Sequence, residues 1–270
     1  MATTTYHSRS NSFPSQSHPA IESVEDHLCR LRADSESTSV CSNLASLRNL
    51  HEGINDLIQL PSIQQTLSQG NWINGLLEGS LKLVDLCAIS REIVSLTKES
   101  VQDLESSIRR NKAEAASSAD VSAYVASRKK ITKMVNKSIK NLKSFNNKST
   151  TDNELWTMMK ETESHDLSIL KSVLILLSGE NEKSNKRSWS LLSKFTTQNS
   201  RVCSEVEQES GAEDLSSLII EKSTKNMDSK NMLKQLKSSK MIIQELEEGL
   251  EALFRSLVKN RVSLLNVLSH

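Results

Sequence analysis

The fold is decided by residues 231–268, which read NMLKQLKSSKMIIQELEEGLEALFRSLVKNRVSLLNVL. A leucine or isoleucine recurs there every seven residues, and a second apolar series occupies the alternate heptad positions, as in a helix with one buried face. This pattern predicts one long helix from about Asn231 to Leu268. The two series together are Leu236, Ile243, Leu250, Leu257 and Leu264, and Leu246, Leu253 and Val267.

The apolar face of this helix is wide. Phe254, Val258, Leu265 and Leu268 extend it beyond the narrow seam of a two-helix coiled coil. The width favours antiparallel packing within the same chain. A dimeric coiled coil is the alternative, and the sequence leaves the oligomeric state open.

The rest of the chain is predicted to be helical too, because no proline follows Pro61 and the apolar residues recur with helical spacing. We therefore expect an all-α protein, an elongated antiparallel bundle of long helices. The other helical segments are predicted at about 21–32, 40–60, 72–110 and 120–145, and from a capping box at Thr151–Glu154 to a cap near Gly179.

The first 20 residues differ in composition from the rest of the chain. Residues 1–20 are rich in serine and contain Pro14 and Pro19, which predicts a disordered tail. Residues 21–270 have a globular balance of apolar and charged residues and are predicted to form a single bundle domain. Within it, the polar stretch at about 180–210 is expected to be a loop that contains a short helix.

Bulk charge and cysteine usage exclude several classes of protein. Lysine and arginine (34) nearly equal aspartate and glutamate (33), so no overall field draws the chain to nucleic acid. No apolar run reaches the roughly 20 residues of a membrane-spanning helix. The cysteines form no CxxC pair and are expected to be reduced and mostly buried; they are Cys29, Cys41, Cys87 and Cys203.

The amino terminus lacks the apolar block of a secretory signal, so a cytoplasmic location is expected. Its serine and threonine content, with no acidic residue before Glu22, resembles an organelle transit peptide. A plastid location is therefore the minority alternative.

No catalytic, metal or cofactor motif is present. There is no phosphate-binding glycine loop, no GxSxG and no HExxH, and the histidines and cysteines do not have metal-ligand spacing. His51 lies on the apolar stripe of its helix, where a hydrogen-bonded core histidine is favoured over a ligand. Asp166 follows His165 and could orient its imidazole, but no nucleophilic residue lies at a spacing that would pair it with these two residues. We expect a protein that is not an enzyme and takes no cofactor.

The tail carries a short motif. Arg9, Ser12 and Pro14 lie in the sequence RSNSFP, in which the arginine three residues before Ser12 suits a basophilic kinase. Phosphorylated Ser12 would resemble a ligand of 14-3-3 proteins, whose arginine cluster binds the phosphate. A solvated serine-rich tail is the alternative interpretation.

A basic helix is the second feature. No acidic residue occurs between Asp120 and Asp152, and the helix between them carries lysines on one side. This face can meet an anionic membrane or an acidic partner; the alternative is that it faces water or acidic segments such as 205–209. Nucleic acid is not expected, since few aromatic residues are near. The face consists of Lys130, Lys133, Lys137 and Lys140.

Six segments, in order along almost the whole chain, resemble the plant BYPASS-related family. The closing segment, GLEALFRSLVKNRVSLLNVLSH, is the most specific. The segments are Arg9–Pro14, His18–Pro19, Leu57–Pro61, Leu76–Cys87, Tyr124–Lys130 and Gly249–His270.

This resemblance implies a role in root and shoot development through control of a mobile signal. The protein after which the family is named is assigned to chloroplasts. The resemblance implies no catalytic residue, cofactor or fixed partner. We expect a non-enzymatic regulatory or scaffold protein, switched through the tail. The alternatives are a peripheral membrane or trafficking adaptor that uses the basic helix, and an enzyme or carrier of a small apolar signal.

Overall fold

The computed structural model of the protein describes residues 18–34, 39–110, 118–142, 153–179 and 229–269. These ranges contain seven α-helices and no strand, which confirms the all-α prediction. The helices are α1 (Pro19–Asp34), α2 (Val40–Ile58), α3 (Pro61–Gln69), α4 (Ile73–Arg110), α5 (Ser118–Leu142), α6 (Glu154–Ser178) and α7 (Ser229–Ser269).

Helix α7 packs mainly against α2 and α4. Both of its predicted apolar series are buried, and Ile243, Leu246, Leu250 and Leu253 are fully inaccessible. The heptad pattern therefore forms an intrachain core, as predicted. All seven helices contribute to one hydrophobic cluster.

The long helices alternate in direction. Lys98 of α4 pairs with Glu247 of α7 and Glu105 pairs with Lys240, so the two helices are antiparallel. The Nη1 of Arg261 donates to the backbone oxygen of Leu77 at the opposite end of the same contact. At about 1.5 Å per residue, α4 and α7 are each roughly 60 Å long, which makes the bundle elongated.

The ends of several helices follow the turn chemistry of the sequence. Pro61 opens α3, where its fixed φ and missing N–H are tolerated. Gly179 closes α6 with a φ of 72°, the left-handed conformation that favours glycine. The predicted capping box at Thr151 was wrong. Asn153 is the N-cap, and its side chain accepts from the backbone N–H of Trp156, because Asn serves as a cap at least as well as Thr.

Other predictions on element bounds had mixed outcomes. Helix α1 begins at Pro19, two residues earlier than predicted, because proline fits the first helical turn. The expected loop at about 180–210 lies outside the described residues, as do residues 1–17 of the expected tail.

Close contact between α4 and α6 depends on two glycines. A Cβ added to Gly75 would come to 3.2 Å from the ring of Trp156, and one added to Gly79 would come to 2.6 Å from an oxygen of Glu163. Because Gly75 faces Trp156 and Gly79 faces Glu163, the two helices run in the same direction. Small residues here let α6 approach α4.

Some residues of the predicted apolar faces are exposed. Val258, Leu265 and Leu268 of α7 and Leu81 of α4 are each at least 36% accessible. The apolar face of α7 is thus wider than the core that covers it. The prediction that the cysteines are mostly buried was wrong for those described, because Cys87 is buried whereas Cys29 is exposed and Cys41 half-buried.

Candidate functional site

Helix α5 packs against α4 and α6 with one side only. Tyr124, Ile131 and Val135 are buried on that side. At its start, the hydroxyl of Ser107 donates to the carboxylate of Asp120 over 2.5 Å, which joins α5 to the end of α4. These contacts fix which side of α5 faces outward.

Arg128 anchors α5 to α6. Its guanidinium is buried, and Nη2 donates to the backbone oxygen of Leu177 over 2.6 Å. Leu177 lies in the last turn of α6, where backbone carbonyls lack helical partners and attract positive charge. Burial lowers the pKa of Arg128 from its usual value. The basic sequence of α5 is therefore divided, because its one arginine faces inward while its lysines do not.

Lys130, Lys133, Lys137 and Lys140 are all exposed and form what we call the lysine face. At 3.6 residues per turn they fall within an arc of about 80°, opposite the buried side, and span roughly 15 Å along the axis. Lys129, also exposed, adjoins them. The structure places the four lysines on one exposed side of α5.

No ion pair joins the lysine face to a described residue. This contrasts with the lysines and arginines at other contacts, such as Lys98 with Glu247 at 2.5 Å and Lys160 with Glu163 at 2.7 Å. Four charges on one narrow strip, none of them paired with a described acidic residue, attract anions more strongly than the same charges dispersed. The strip is a part of the described surface that can bind an anionic partner.

The buried core holds a second polar constellation. The imidazole of His51 (α2) donates through Nε2 to the Asp166 (α6) carboxylate over 2.8 Å and accepts at Nδ1 from the amide of Asn260 (α7) over 2.9 Å. All three side chains are buried, and Asp166 is fully inaccessible. A core histidine was expected; its partners were not, because they come from helices more than 100 residues away in sequence.

A second set of hydrogen bonds joins α7 to the end of α2. The Nε2 of Gln59 donates to Ser263 Oγ, which in turn donates to Asn55 Oδ1 over 3.0 Å. The Oδ2 of Asp166 and the Oδ1 of Asn260 lack a partner among the described residues. Because these groups meet only when α2, α6 and α7 are in register, they fix how the three helices align.

A thiol lies near this network without being activated. Burial, reinforced by the charge of Asp166, raises the pKa of Cys87 to about 12. The Sγ of Cys87 donates to the backbone oxygen of Leu250 at 3.6 Å. At neutral pH the sulfur remains a protonated thiol, which is a poor nucleophile.

A surface groove of about 720 Å³ lies between α1 and the start of α6. Its lining includes Glu25, Asp26 and Glu154. Arg32 and Glu161 also line it, and the guanidinium of Arg32 donates from Nε and Nη2 to the two carboxylate oxygens of Glu161. The hydrogen bond from Arg32 lowers the pKa of Glu161. The groove is acidic, and the guanidinium of Arg32 in its lining is already paired with Glu161.

The remaining predicted site residues are distributed as follows. Arg9, Ser12 and Pro14 lie outside the described residues. Tyr124, an aromatic residue of the basic helix, is buried, and burial raises its pKa to about 12. Trp156 is also buried, and Trp72 packs on it edge to face with ring centroids 5.7 Å apart.

Within the described ranges, no cluster of histidine, cysteine, aspartate or glutamate is arranged to hold a metal ion. None of the described helices is long and apolar enough to cross a membrane.

A family model described as Protein BPS1 matches residues 43–267. The chain belongs to the BPS1 protein family. The match extends from the first turn of α2 into the last turn of α7, so it includes the buried network and the lysine face. Neither a curated protein nor a solved structure matches the chain.

Proposed function

We propose that this member of the BPS1 family is a non-enzymatic regulatory or scaffold protein that docks through the lysine face of α5. The observation that carries the proposal is the set of four exposed lysines without an ion pair to a described residue. In contrast, the polar groups that resemble a catalytic constellation are buried and engaged in joining helices. Root and shoot development is the setting that the family resemblance supports.

Phosphorylation of Ser12 is the second element of this proposal. The sequence RSNSFP at residues 9–14 supports it, since a phosphate there offers three acceptor oxygens to the arginine cluster of a 14-3-3 protein. A tail switch and a docking helix are separate functions, so each is testable alone.

An enzyme or carrier of a small apolar signal receives less support. Such a ligand requires a mostly apolar pocket. The groove between α1 and α6 instead carries the carboxylates of Glu25, Asp26, Glu154 and Glu161.

The test is isolation of tagged protein from its native tissue in three forms: wild type, Ser12→Ala, and the four lysines of the face changed to glutamine. We expect the four-lysine variant to lose what the wild type binds through α5, whether proteins identified by mass spectrometry or co-purifying membrane, and Ser12→Ala to lose 14-3-3 proteins. An identical set in all three forms, or turnover of a metabolite by the purified protein, would contradict the proposal.

A further inference from the structure

We infer that the lysine face binds the surface of an anionic phospholipid membrane, by adsorption and without insertion. This inference rests on the proposed docking role of α5 and identifies its partner. The groups recognised are the phosphates and carboxylates of lipid headgroups, as in phosphatidylserine.

The shape of the face favours a flat partner. The four lysines lie on the outward side of a single helix, with α4 and α6 behind it. This strip of about 15 Å has no walls among the described residues to enclose a side chain or a peptide. It can lie along a membrane surface so that all four ammonium groups reach headgroups together.

The chemistry of the face also favours lipid over protein. Protein interfaces depend on buried aromatic and arginine anchors and are depleted in lysine. The face has none of these anchors, because Arg128 and Tyr124 are turned inward. The other exposed residues on this side of α5 are small or polar, such as Ser122 and Ala126 before the face and Asn136 within it.

Lysine suits a headgroup surface because each ammonium is a mobile point charge that needs no fixed acceptor geometry. Each lysine near an anionic leaflet adds about 1 kcal/mol of attraction, equivalent to about fivefold in affinity. The absence of large apolar residues among the exposed positions predicts that salt releases the protein, since nothing anchors it in the hydrocarbon region.

The test measures co-sedimentation of the full chain with vesicles of phosphatidylcholine alone and with phosphatidylserine as a third of the lipid. The wild type is compared with the variant Lys130→Gln, Lys133→Gln, Lys137→Gln and Lys140→Gln. A matched control removes four exposed charges from other helices, by Arg110→Gln, Lys234→Gln, Lys237→Gln and Lys259→Gln. Circular dichroism establishes that all three forms are folded.

We expect the wild type and the matched control to bind only the anionic vesicles, and the four-lysine variant to bind at least tenfold more weakly. Raising the salt from about 0.1 M to about 1 M, which shortens the Debye length from roughly 10 Å to 3 Å, should release the protein. The inference is wrong if the four-lysine variant and the matched control bind anionic vesicles equally. It is also wrong if the wild type binds neutral vesicles, or if it binds neither kind of vesicle.

A parallel measurement with soluble poly-L-glutamate distinguishes failure of this inference from failure of the docking proposal. If wild type binds the polymer through the lysine face but does not bind vesicles, the face docks to an acidic protein and the membrane inference is wrong. If wild type binds neither, the docking role of α5 fails as well.

Discussion

Helices α7 and α5 are both amphipathic, yet they use their charged residues in opposite ways. On α7, Glu247 pairs with Lys98, Glu251 pairs with Arg91, and Lys240 pairs with Glu105. On α5, the lysine face has no ion pair with a described residue. These three pairs of α7 follow the edge of its contact with α4, whereas the lysine face of α5 lies on the side away from the core.

This difference separates charges that serve the fold from charges that remain available. Ion pairs beside a buried apolar seam set the register of two helices, although each contributes little to stability when partly exposed. Lysines on the outer side that pair with no described residue contribute nothing to the register of the described helices. Their repulsion is tolerated because α5 is held by its buried side and by Arg128.

The largest expected effect is on the α7 core. Leu250→Ala removes a fully buried side chain and should destabilise the protein by about 3 kcal/mol, within the range of about 2–5 kcal/mol for such substitutions. Leu265→Ala, the same change at an exposed position of the same helix, should alter stability by less than about 0.5 kcal/mol. Denaturant unfolding of both variants measures this. Equal losses would mean that the heptad face is not the core of the bundle.

The buried network should give the next effect. Asp166→Ala leaves the Nε2–H of His51 without an acceptor, and loss of about 1–3 kcal/mol is expected for a buried unsatisfied donor. Asp166→Asn keeps an oxygen at that position and should recover much of the loss. The same unfolding measurement compares them. If Asn and Ala destabilise equally, the hydrogen bond to His51 is not what stabilises this contact.

A smaller effect is expected where α1 meets α6. The side chain of Arg32 is 58% exposed, so solvent reduces its contribution, and Arg32→Ala should cost less than about 1 kcal/mol at neutral pH. Because the folded-state pKa of Glu161 is lowered, this stabilisation is present above its unfolded pKa of about 4.3 and is lost as the pH falls through the folded value.

Unfolding of wild type and Arg32→Ala at about pH 7 and about pH 3 should therefore show a smaller difference at the lower pH. An NMR titration of Glu161 should show its pKa rising toward the ordinary value in the variant. Arg30→Ala, on the exposed side of the same helix, is the control and should leave that pKa unchanged. If the stability difference between wild type and Arg32→Ala instead grows in acid, the Arg32–Glu161 pair does not act through the ionised carboxylate.

The smallest effect on stability is expected at the lysine face. Changing Lys130, Lys133, Lys137 and Lys140 to glutamine removes no described contact and relieves like-charge repulsion, so the free energy of unfolding should change by less than about 0.5 kcal/mol. Thermal and denaturant unfolding check this. Destabilisation above about 1 kcal/mol would mean that these lysines stabilise the fold and would weaken the docking proposal.

Much of the fold could be predicted from local sequence. Periodicity predicted the long helices, and Pro61 and Gly179 predicted two of their ends, because helix formation and capping depend on residues within one or two turns. The grouping of Lys130, Lys133, Lys137 and Lys140 on one side of α5 is likewise a consequence of helical spacing. The N-cap of α6 was missed because Thr151 and Asn153 are both good caps, and sequence alone did not distinguish them.

The sequence by itself thus determined that this protein is helical, where α7 and its heptad face lie, and that α5 carries a coherent strip of lysines. Only the tertiary structure decided that His51 would meet Asp166 and Asn260, that Arg128 would turn inward to Leu177, and that the lysine face would find no partner among the described residues. The physical reason is range. Helical order depends on neighbours within a few residues, whereas pairing and burial depend on which side chains the packed helices bring together from distant parts of the chain.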